Sequence, residues 1–318
     1  MKVTDYIKYA EGRTLISFEV LPPLKGGKME DIFMTLDPLM EFKPPFVDVT
    51  YHRQDFDYNQ RESGYFEKIA IRKRPGTIGI CASIMHRYGV DAVPHLICGG
   101  FTKDDTENAL IDLNFLGINN VLALQGDRRK FENKFTPEPN GNKYASELVV
   151  QINDMNNGKY MDQKIDAGAE SDFCIGVAGY PEKHFESPNF ELDLEYTKAK
   201  VEAGADYIVT QMFFDNSKYF EYVKACRAAG ITVPIIPGLK PLTKKYQINS
   251  IPRLFFLNMP DDLVKEVMKC GDDRKKIKQV GIEWCSAQSK ELKEAGAPVL
   301  HYYTMGDSDT IIKVIEGM

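Results

Sequence analysis

Eight short apolar stretches, rich in β-branched residues, recur along the chain and are separated by segments long enough to form helices. This alternation predicts successive βα units and a parallel sheet covered by helices. The predicted strands are residues 15–20, 46–51, 92–98, 120–124, 173–178, 207–212, 233–238 and 299–303. Because eight parallel strands can close on themselves, the sequence predicts the α/β class and a (β/α)8 TIM-type barrel.

Signals for helix boundaries support the same arrangement. Thr102 and Asp105 have the spacing of a capping box ahead of an apolar helical stripe. Gly204 and Gly230 are expected to end two helices just before the next strands. Asn216 is expected to cap the second of these helices at its start.

Three segments depart from a minimal barrel. Within residues 241–260, the stretch IPRLFFLNMP is apolar but bracketed by prolines, which predicts a helix with irregular ends. Residues 128–142 are polar and rich in Pro, Asn and Lys, which predicts a long loop after the fourth strand, and residues 157–172 are interpreted as a surface insertion. Since no solenoid repeat or extended linker is found, residues 1–318 are predicted to form a single catalytic barrel domain.

Composition limits the partners of the chain. A formal charge of −6 without a Lys/Arg stripe argues against nucleic acid. No stretch approaches the roughly 20 apolar residues that span a bilayer, so no membrane partner is expected. The start of the chain lacks the pattern of a secretory signal, and the six cysteines show no CxxC pairing. These features predict a cytoplasmic protein with reduced thiols and no bound metal.

Polar side chains gather at the predicted carboxyl ends of the strands, where barrel enzymes have their active sites. They are Glu19, Thr50, His95, Gln125, Asp127, Tyr180, His184 and Gln211, and Gly126 lies between two of them. Neither a GxGxxG turn nor a GxxxxGK[ST] loop is present, so a nucleotide cofactor would be held by barrel loops, a helix N-terminus or lysines.

Each of these residues also has a purely structural interpretation. Glu19 is either a partly solvated acid at a strand end or, in its apolar setting, a general acid with a raised pKa. His95 is either a hydrogen-bonded core histidine or part of the site. Asp127 can simply shape a turn. Taken alone, Lys200 is typical of a solvated helix face, and Trp284 of a packed core.

The blocks SFEV, VDVTY, PHLIC, ALQGD, YASELV, GYPEKH, AGADYIVTQMFFD and IIPGLKP follow one another along nearly the whole chain. In this order and spacing the sequence resembles the methylenetetrahydrofolate reductases. The resemblance implies a barrel that binds FAD, takes hydride from NADH or NADPH and passes it to 5,10-methylenetetrahydrofolate by a ping-pong mechanism. It also implies a homo-oligomer whose small-molecule partners are a folate and a nicotinamide.

Residue by residue, the resemblance implies catalytic roles for two acids. Glu19 matches the general acid that opens the imidazolidine ring and also contacts the folate, and Asp127 matches the carboxylate beside the flavin. Gln211 and Gln247 match positions that contact the folate. Positions that line the FAD or the nicotinamide are matched by Thr50, Tyr51, His95, Gly126, Asp127, Tyr144, Ala145, Tyr180, His184, Asp193 and Lys200.

Two departures from the family pattern concern binding. Gln125 stands where the family usually has an arginine before Gly126, so one positive charge near the flavin is missing. Asp307 stands where a basic residue is expected to meet the glutamate tail of the folate. The chain ends soon after the eighth predicted strand and its helix, so control by an appended regulatory domain is not expected.

Two other functions remain open at this point. A barrel flavoenzyme of another substrate class, such as an amine or proline dehydrogenase, would keep the flavin contacts without needing Glu19, Gln211 and Gln247 together. A cofactor-free binding barrel would fit Asp307 and the missing arginine, but it would leave many polar groups at the strand ends without a ligand.

Overall fold

A computed structural model describes residues 1–129, 132, 134–162, 164–165 and 168–318. Its strands are β1 Leu15–Val20, β2 Phe46–Val49, β3 Asp55–Gln60, β4 Phe66–Ile71, β5 Asp91–Ile97, β6 Asn120–Leu124, β7 Cys174–Gly179, β8 Tyr207–Thr210, β9 Ile235–Ile236, β10 Gly238–Leu239 and β11 Val299–Tyr303. Its α-helices are α1 Val3–Tyr9, α2 Met29–Leu36, α3 Thr77–Tyr88, α4 Lys103–Phe115, α5 Ala145–Asn156, α6 Phe190–Glu202, α7 Asn216–Ala228, α8 Gln247–Phe255, α9 Asp261–Lys269, α10 Arg274–Glu294 and α11 Ser308–Glu316.

Nine of the strands form one parallel sheet in the order β10-β11-β1-β2-β5-β6-β7-β8-β9. The two ends of this order, β9 and β10, are consecutive pieces of one chain segment on either side of Pro237. β9 pairs with β8, β10 pairs with β11, and the carbonyl of Pro237 accepts a hydrogen bond from the His301 amide (3.1 Å). The sheet therefore forms a nearly closed barrel, and the predicted fold class is confirmed.

All eight predicted barrel strands are present, with small changes at their ends. The second and sixth strands stop two residues early, at Val49 and Thr210, because the chain turns there into the loops at the mouth. The sheet bonding extends one step further, since the Thr50 amide donates to Val20 (3.1 Å) and the Gln211 amide to Gly179 (2.8 Å). Residues at the carboxyl ends are thus held in register.

The hairpin formed by β3 and β4 is not among the predicted elements. It lies outside the barrel sheet and pairs Asp55 with Ile71 at one end and Gln60 with Phe66 at the other. Gly64 has φ +83° in the connecting turn. The alternation of acids with Phe56 and Tyr58 was the sequence signal for this hairpin. It was missed because the polar strands of the hairpin do not resemble the apolar runs of a buried barrel.

Most predicted helix boundaries are confirmed. Thr102 and Asp105 form the expected capping box, and Gly204 and Gly230 follow their helices with positive φ. The predicted cap at Asn216 is wrong: the Asp215 carboxylate caps α7 by accepting from the Ser217 amide (2.9 Å). The Asn216 side chain is buried instead.

The predicted irregular segments also have counterparts. The helix expected within 241–260 is α8, which contains a proline at position 252. The described parts of 128–142 and 157–172 contain no strand, and no helix begins within them, as predicted for loops; the rest of these two segments lies outside the described residues. Over the described residues, no helix is both long and apolar enough to cross a membrane.

Candidate active site

Glu19 lies at the carboxyl end of β1, where the backbone is held from both sides. It pairs with Asp48 of β2 and with Tyr303 of β11 in the sheet register. Its carbonyl accepts hydrogen bonds from the amide (3.2 Å) and the hydroxyl (2.7 Å) of Thr304. This bonding fixes the point from which the side chain enters the mouth of the barrel.

The Glu19 carboxyl group has the electrostatics expected of a proton donor. Its side chain is 14% exposed, and one oxygen lies 3.6 Å from Nε2 of His95. Burial raises the pKa of Glu19 to about 7; His95 opposes this rise, Asp48 adds to it, and Lys240 opposes it. The raised pKa predicted from the sequence is therefore found, and a large share of Glu19 is protonated near neutral pH.

The protonation of Glu19 couples to the stability of the fold. Its pKa rises from 4.5 to about 7 on folding, so between these values the folded chain binds more protons and the free energy of unfolding falls as pH rises. Glu19→Gln has no carboxyl group to titrate at this position, so it should not show this fall in the free energy of unfolding. We expect urea unfolding to show the variant gaining up to about 3 kcal/mol relative to wild type between about pH 5 and about pH 8. An equal difference at both pH values would contradict the raised pKa.

Beside Glu19 lies a buried acid that the sequence did not single out. Asp48 is 1% exposed in β2, and its Oδ2 lies 3.5 Å from Nε2 of His95. Burial raises the pKa of Asp48 to about 6, with His301 opposing the rise. A lone acid within the apolar run FVDV was the only signal available for it.

His95 is buried, but it is not the hydrogen-bonded core histidine of the structural interpretation. Its Nε2 has no hydrogen-bond partner within the described residues. Burial lowers the pKa of His95, while Glu19 opposes this effect. A neutral imidazole therefore lies between two carboxyl groups.

A second group of predicted residues surrounds the start of α5. Gly126 has φ +85°, and a Cβ there would lie 3.1 Å from the Cβ of Ile97. The side-chain nitrogen Nε2 of Gln125 donates to the carbonyl of Lys143 (3.1 Å), which links the loop after β6 to the residues before α5. Tyr144 is the N-cap residue of α5 without a side-chain capping bond.

A third group lies after β7 and on α6. The rings of Tyr180 and His184 meet edge to face at 4.7 Å. Asp193 is 4% exposed; one of its oxygens accepts from Ser187 Oγ (2.7 Å), and Oδ2 has no partner among the described residues. Lys200 is partly buried and donates to the carbonyl of Ala178 (2.5 Å).

The environment of Lys200 corrects the interpretation of a solvated helix face. Burial lowers the pKa of Lys200 to about 8, and Asp193 opposes this shift. Its ammonium group lies 5.7 Å from the centre of the Tyr180 ring. The three polar groups thus belong to one corner of the mouth.

The side chains of the two predicted folate contacts, Gln211 and Gln247, each accept hydrogen bonds from backbone amides. Oε1 of Gln211 accepts from the amide of Met212 (2.9 Å). Oε1 of Gln247 accepts from the amides of Thr243 and Lys244 (both 2.8 Å). These bonds orient both side chains through their oxygens.

The remaining predicted residues lie on the same rim. Thr50 donates to the carbonyl of Val20 (3.4 Å), and the Tyr51 ring packs at 5.1 Å against Phe101. Asp127 is exposed, and its charge acts on the pKa values of His52, Tyr180 and His184. The structure brings Glu19 within 3.6 Å of His95 and Tyr180 against His184, and Thr50, Tyr51, Asp127 and Gln211 follow the carboxyl ends of their strands.

A cavity of about 500 Å³ opens beside this rim. Its walls come mainly from the start of α3, the end of β5 and one face of α4. Of the predicted residues, it is lined by Tyr51 and His95. The cavity therefore adjoins the predicted site and does not coincide with it.

Asp307 has a structural role at the start of α11. Its carboxylate accepts from the Thr310 amide (3.1 Å) and pairs with Lys278 (3.0 Å). The acid that stands where a basic residue is expected therefore already has a cationic partner in Lys278.

Known proteins resemble this chain over nearly all of its length. A family model described as methylenetetrahydrofolate reductase matches residues 2–318. Methylenetetrahydrofolate reductase (NADH) 1 of Arabidopsis thaliana is 30% identical over 99% of this chain and 50% of its own length. The 5,10-methylenetetrahydrofolate reductase of Escherichia coli K12 is 31% identical over 94% of this chain and 88% of its own. The chain spans about half the length of the plant, worm and fission yeast relatives that it matches.

Solved structures share the fold at low identity. A Clostridium thermocellum protein described as binding two copies of 5-methyl-5,6,7,8-tetrahydrofolic acid aligns with a TM-score of 0.57 and 14% identity, over 99% of this chain and 97% of its own. Oxaloacetate acetylhydrolase aligns with a TM-score of 0.51 and 9% identity, over 99% of this chain and 83% of its own. At such low sequence identity, these structures show only that the barrel fold is shared.

Proposed function

Since the chain belongs to the methylenetetrahydrofolate reductase family, we propose that it reduces 5,10-methylenetetrahydrofolate to 5-methyltetrahydrofolate with FAD as cofactor and NADH or NADPH as reductant. The two substrates use the site in turn, in a ping-pong mechanism. The observation that carries the proposal is the carboxyl group of Glu19, which is 14% exposed at the end of β1, lies 3.6 Å from His95 and has its pKa raised to about 7 by burial.

Glu19 supplies the proton that opens the imidazolidine ring. The bond between the bridging carbon and one ring nitrogen breaks, its electron pair stays on that nitrogen, and the nitrogen takes the proton from Glu19. The other nitrogen then holds the carbon as an iminium cation, which accepts a hydride to become the methyl group. A donor with a pKa near the working pH is effective because it is protonated yet releases its proton readily.

The rim residues fit FAD. An anionic pyrophosphate suits the start of α5, where Tyr144 leaves the first-turn amides without a side-chain cap. Asp193, whose Oδ2 is buried without a partner among the described residues, suits a hydroxyl donor, and Lys200 suits an anionic or carbonyl oxygen. Gly126 allows close approach of a flat ring to the backbone. When bound, FAD would accept hydride from the nicotinamide and supply it to the folate.

Folate and nicotinamide would meet the other side of the mouth. The amide nitrogens of Gln211 and Gln247 would contact the folate, and Thr50, Tyr51 and His95 would line the flavin and the nicotinamide. The Clostridium thermocellum protein of the same fold, described as binding 5-methyl-5,6,7,8-tetrahydrofolic acid, supports a folate ligand for such a barrel. We further propose a cytoplasmic homo-oligomer that serves methionine synthesis.

An anaerobic visible spectrum tests the proposal. Protein supplied with FAD should show flavin colour, lose it on addition of NADH or NADPH, and regain it on addition of 5,10-methylenetetrahydrofolate. Bleaching without recovery would indicate another substrate class for a flavin barrel. Protein that binds no flavin would overturn the proposal and favour a cofactor-free binding barrel.

The charge of Asp127 should favour the cationic iminium. We expect Asp127→Asn to bind FAD and accept hydride normally but to reduce the folate roughly tenfold more slowly, which corresponds to about 1.4 kcal/mol. Stopped-flow rates of both half-reactions measure this. Asp57→Asn, which removes an exposed acid of the hairpin, is the control. Equal folate rates in the two variants would refute the role of Asp127.

A further inference from the structure

A cluster of polar side chains lies inside the barrel beneath Glu19. Within the described residues, five of their atoms are buried without a hydrogen-bond partner: Oδ1 and Oδ2 of Asp48, Nε2 of His95, the hydroxyl of Tyr207 and Nε2 of His301. Unpaired polar atoms in an interior cost free energy, so a cluster of them needs a reason other than stability. Ser17 Oγ lies 2.8 Å from Nδ1 of His301 and holds that ring.

The position of His95 relates two of these groups to the reaction site. Its Nε2 is 3.6 Å from an oxygen of Glu19 and 3.5 Å from an oxygen of Asp48. Both distances are slightly too long for a hydrogen bond, and a shift of roughly 0.5 Å would complete either one. A neutral imidazole has one N–H group, so Nε2 can donate to only one carboxylate at a time.

We propose that Asp48 is a positioning residue for Glu19: its carboxylate holds the Nε2 proton of His95, so that Glu19 has no donor for its own carboxylate and keeps its proton for the substrate. The inference rests on the proposed function, because Glu19 is the acid that it serves. Asp48 itself is only 1% exposed in β2, so we place it behind the residues that would meet the substrate. Its effect on the reaction therefore passes through His95.

Several other groups face this arrangement and contribute to its charge. Lys240 and Tyr303 face Glu19. Cys81, Tyr207 and His301 face Asp48. His52 and His301 face His95. Of these, Lys240 is the one cation, and it opposes the protonation of Glu19. An anionic Asp48 offsets that effect.

The test is the protonation of Glu19 in the free protein. Infrared difference spectra between each protein and its Glu19→Gln counterpart isolate the carboxyl band of Glu19, which is then titrated. Asp48→Asn keeps the shape of the side chain and one acceptor oxygen while removing the charge. We expect it to lower the titration midpoint of Glu19 by roughly one pH unit. Asp48→Ser removes the same charge with a smaller side chain and should give the same shift.

A double-mutant cycle shows whether the effect passes through His95. With His95→Gln in place, the shift caused by Asp48→Asn should fall to less than half. If the titration midpoint of Glu19 stays unchanged or rises in both Asp48 variants, the proposal is overturned. If the shift is undiminished in the His95→Gln background, it comes from direct repulsion between the carboxylates of Asp48 and Glu19, and the positioning role is overturned.

Kinetics separate this inference from the proposed function. In Asp48→Asn the alkaline limb of folate reduction should move to lower pH by the same amount, while flavin reduction by NADH keeps its rate. If wild type reduced no folate, the proposed function would fail, yet the infrared titration would still decide the role of Asp48.

Discussion

Glu19→Gln should retain FAD and its reduction by NADH, and should reduce folate about 10²- to 10⁴-fold more slowly than wild type. Glutamine has nearly the same shape but no proton to donate, so binding survives while ring opening loses its acid. Stopped-flow measurement of the two half-reactions gives both rates from one preparation. Glu41→Gln, at an exposed position, is the matched control.

The pKa of Glu19 also sets the pH dependence of folate reduction. Because Glu19 must be protonated and has a pKa of about 7, folate reduction by wild type should fall as pH rises through about 7. The slow residual rate of Glu19→Gln should lack this decline. Near-normal folate reduction in Glu19→Gln, or the same pH limb in both proteins, would remove Glu19 from the mechanism.

Gly281→Ala should destabilise the protein by roughly 3 kcal/mol. Gly281 is buried in α10, and a Cβ there would overlap the carbonyl oxygen of Leu242. Leu242 directly precedes Thr243, whose amide donates to Gln247 (2.8 Å). The variant should therefore also weaken folate binding, because the segment that orients Gln247 has to move.

Another helical glycine provides the control for Gly281. Gly79 lies in α3 with open space where a Cβ would be. Gly79→Ala should be neutral or stabilise the protein by up to about 1 kcal/mol, the usual preference for alanine in a helix. Urea unfolding of both variants measures the contrast. Similar stabilities would show that α10 does not pack against Leu242 as closely as described.

The barrel was predictable because its strands are buried on both faces. Such strands are continuous apolar runs, so β1, β6 and β11 have the bounds that the sequence predicts. The seventh barrel strand was predicted as one element, but Pro237 lacks an amide hydrogen and divides it into β9 and β10. The hairpin of β3 and β4 was not predicted, because it lies outside the barrel sheet and its strands are not apolar runs.

The candidate site was predictable where its residues end strands. Glu19 and His95 could be placed at one mouth from strand order alone, and the structure brings them within 3.6 Å. Asp48 could not be placed, because a sequence does not show which side of a fully buried strand faces the barrel interior. Taken alone, Lys200 was typical of a solvated helix face, because helical spacing does not reveal that its long side chain turns back to the carbonyl of Ala178; only the family resemblance pointed to the site.

The most direct test of the central claim is a single turnover under anaerobic conditions. Enzyme reduced by one equivalent of NADH is mixed with 5,10-methylenetetrahydrofolate, and the product formed is compared with the flavin reoxidised. We expect one 5-methyltetrahydrofolate for each flavin in wild type and nearly none on the same timescale in Glu19→Gln. Flavin that reoxidises without forming this product, or equal product in both proteins, would contradict that claim.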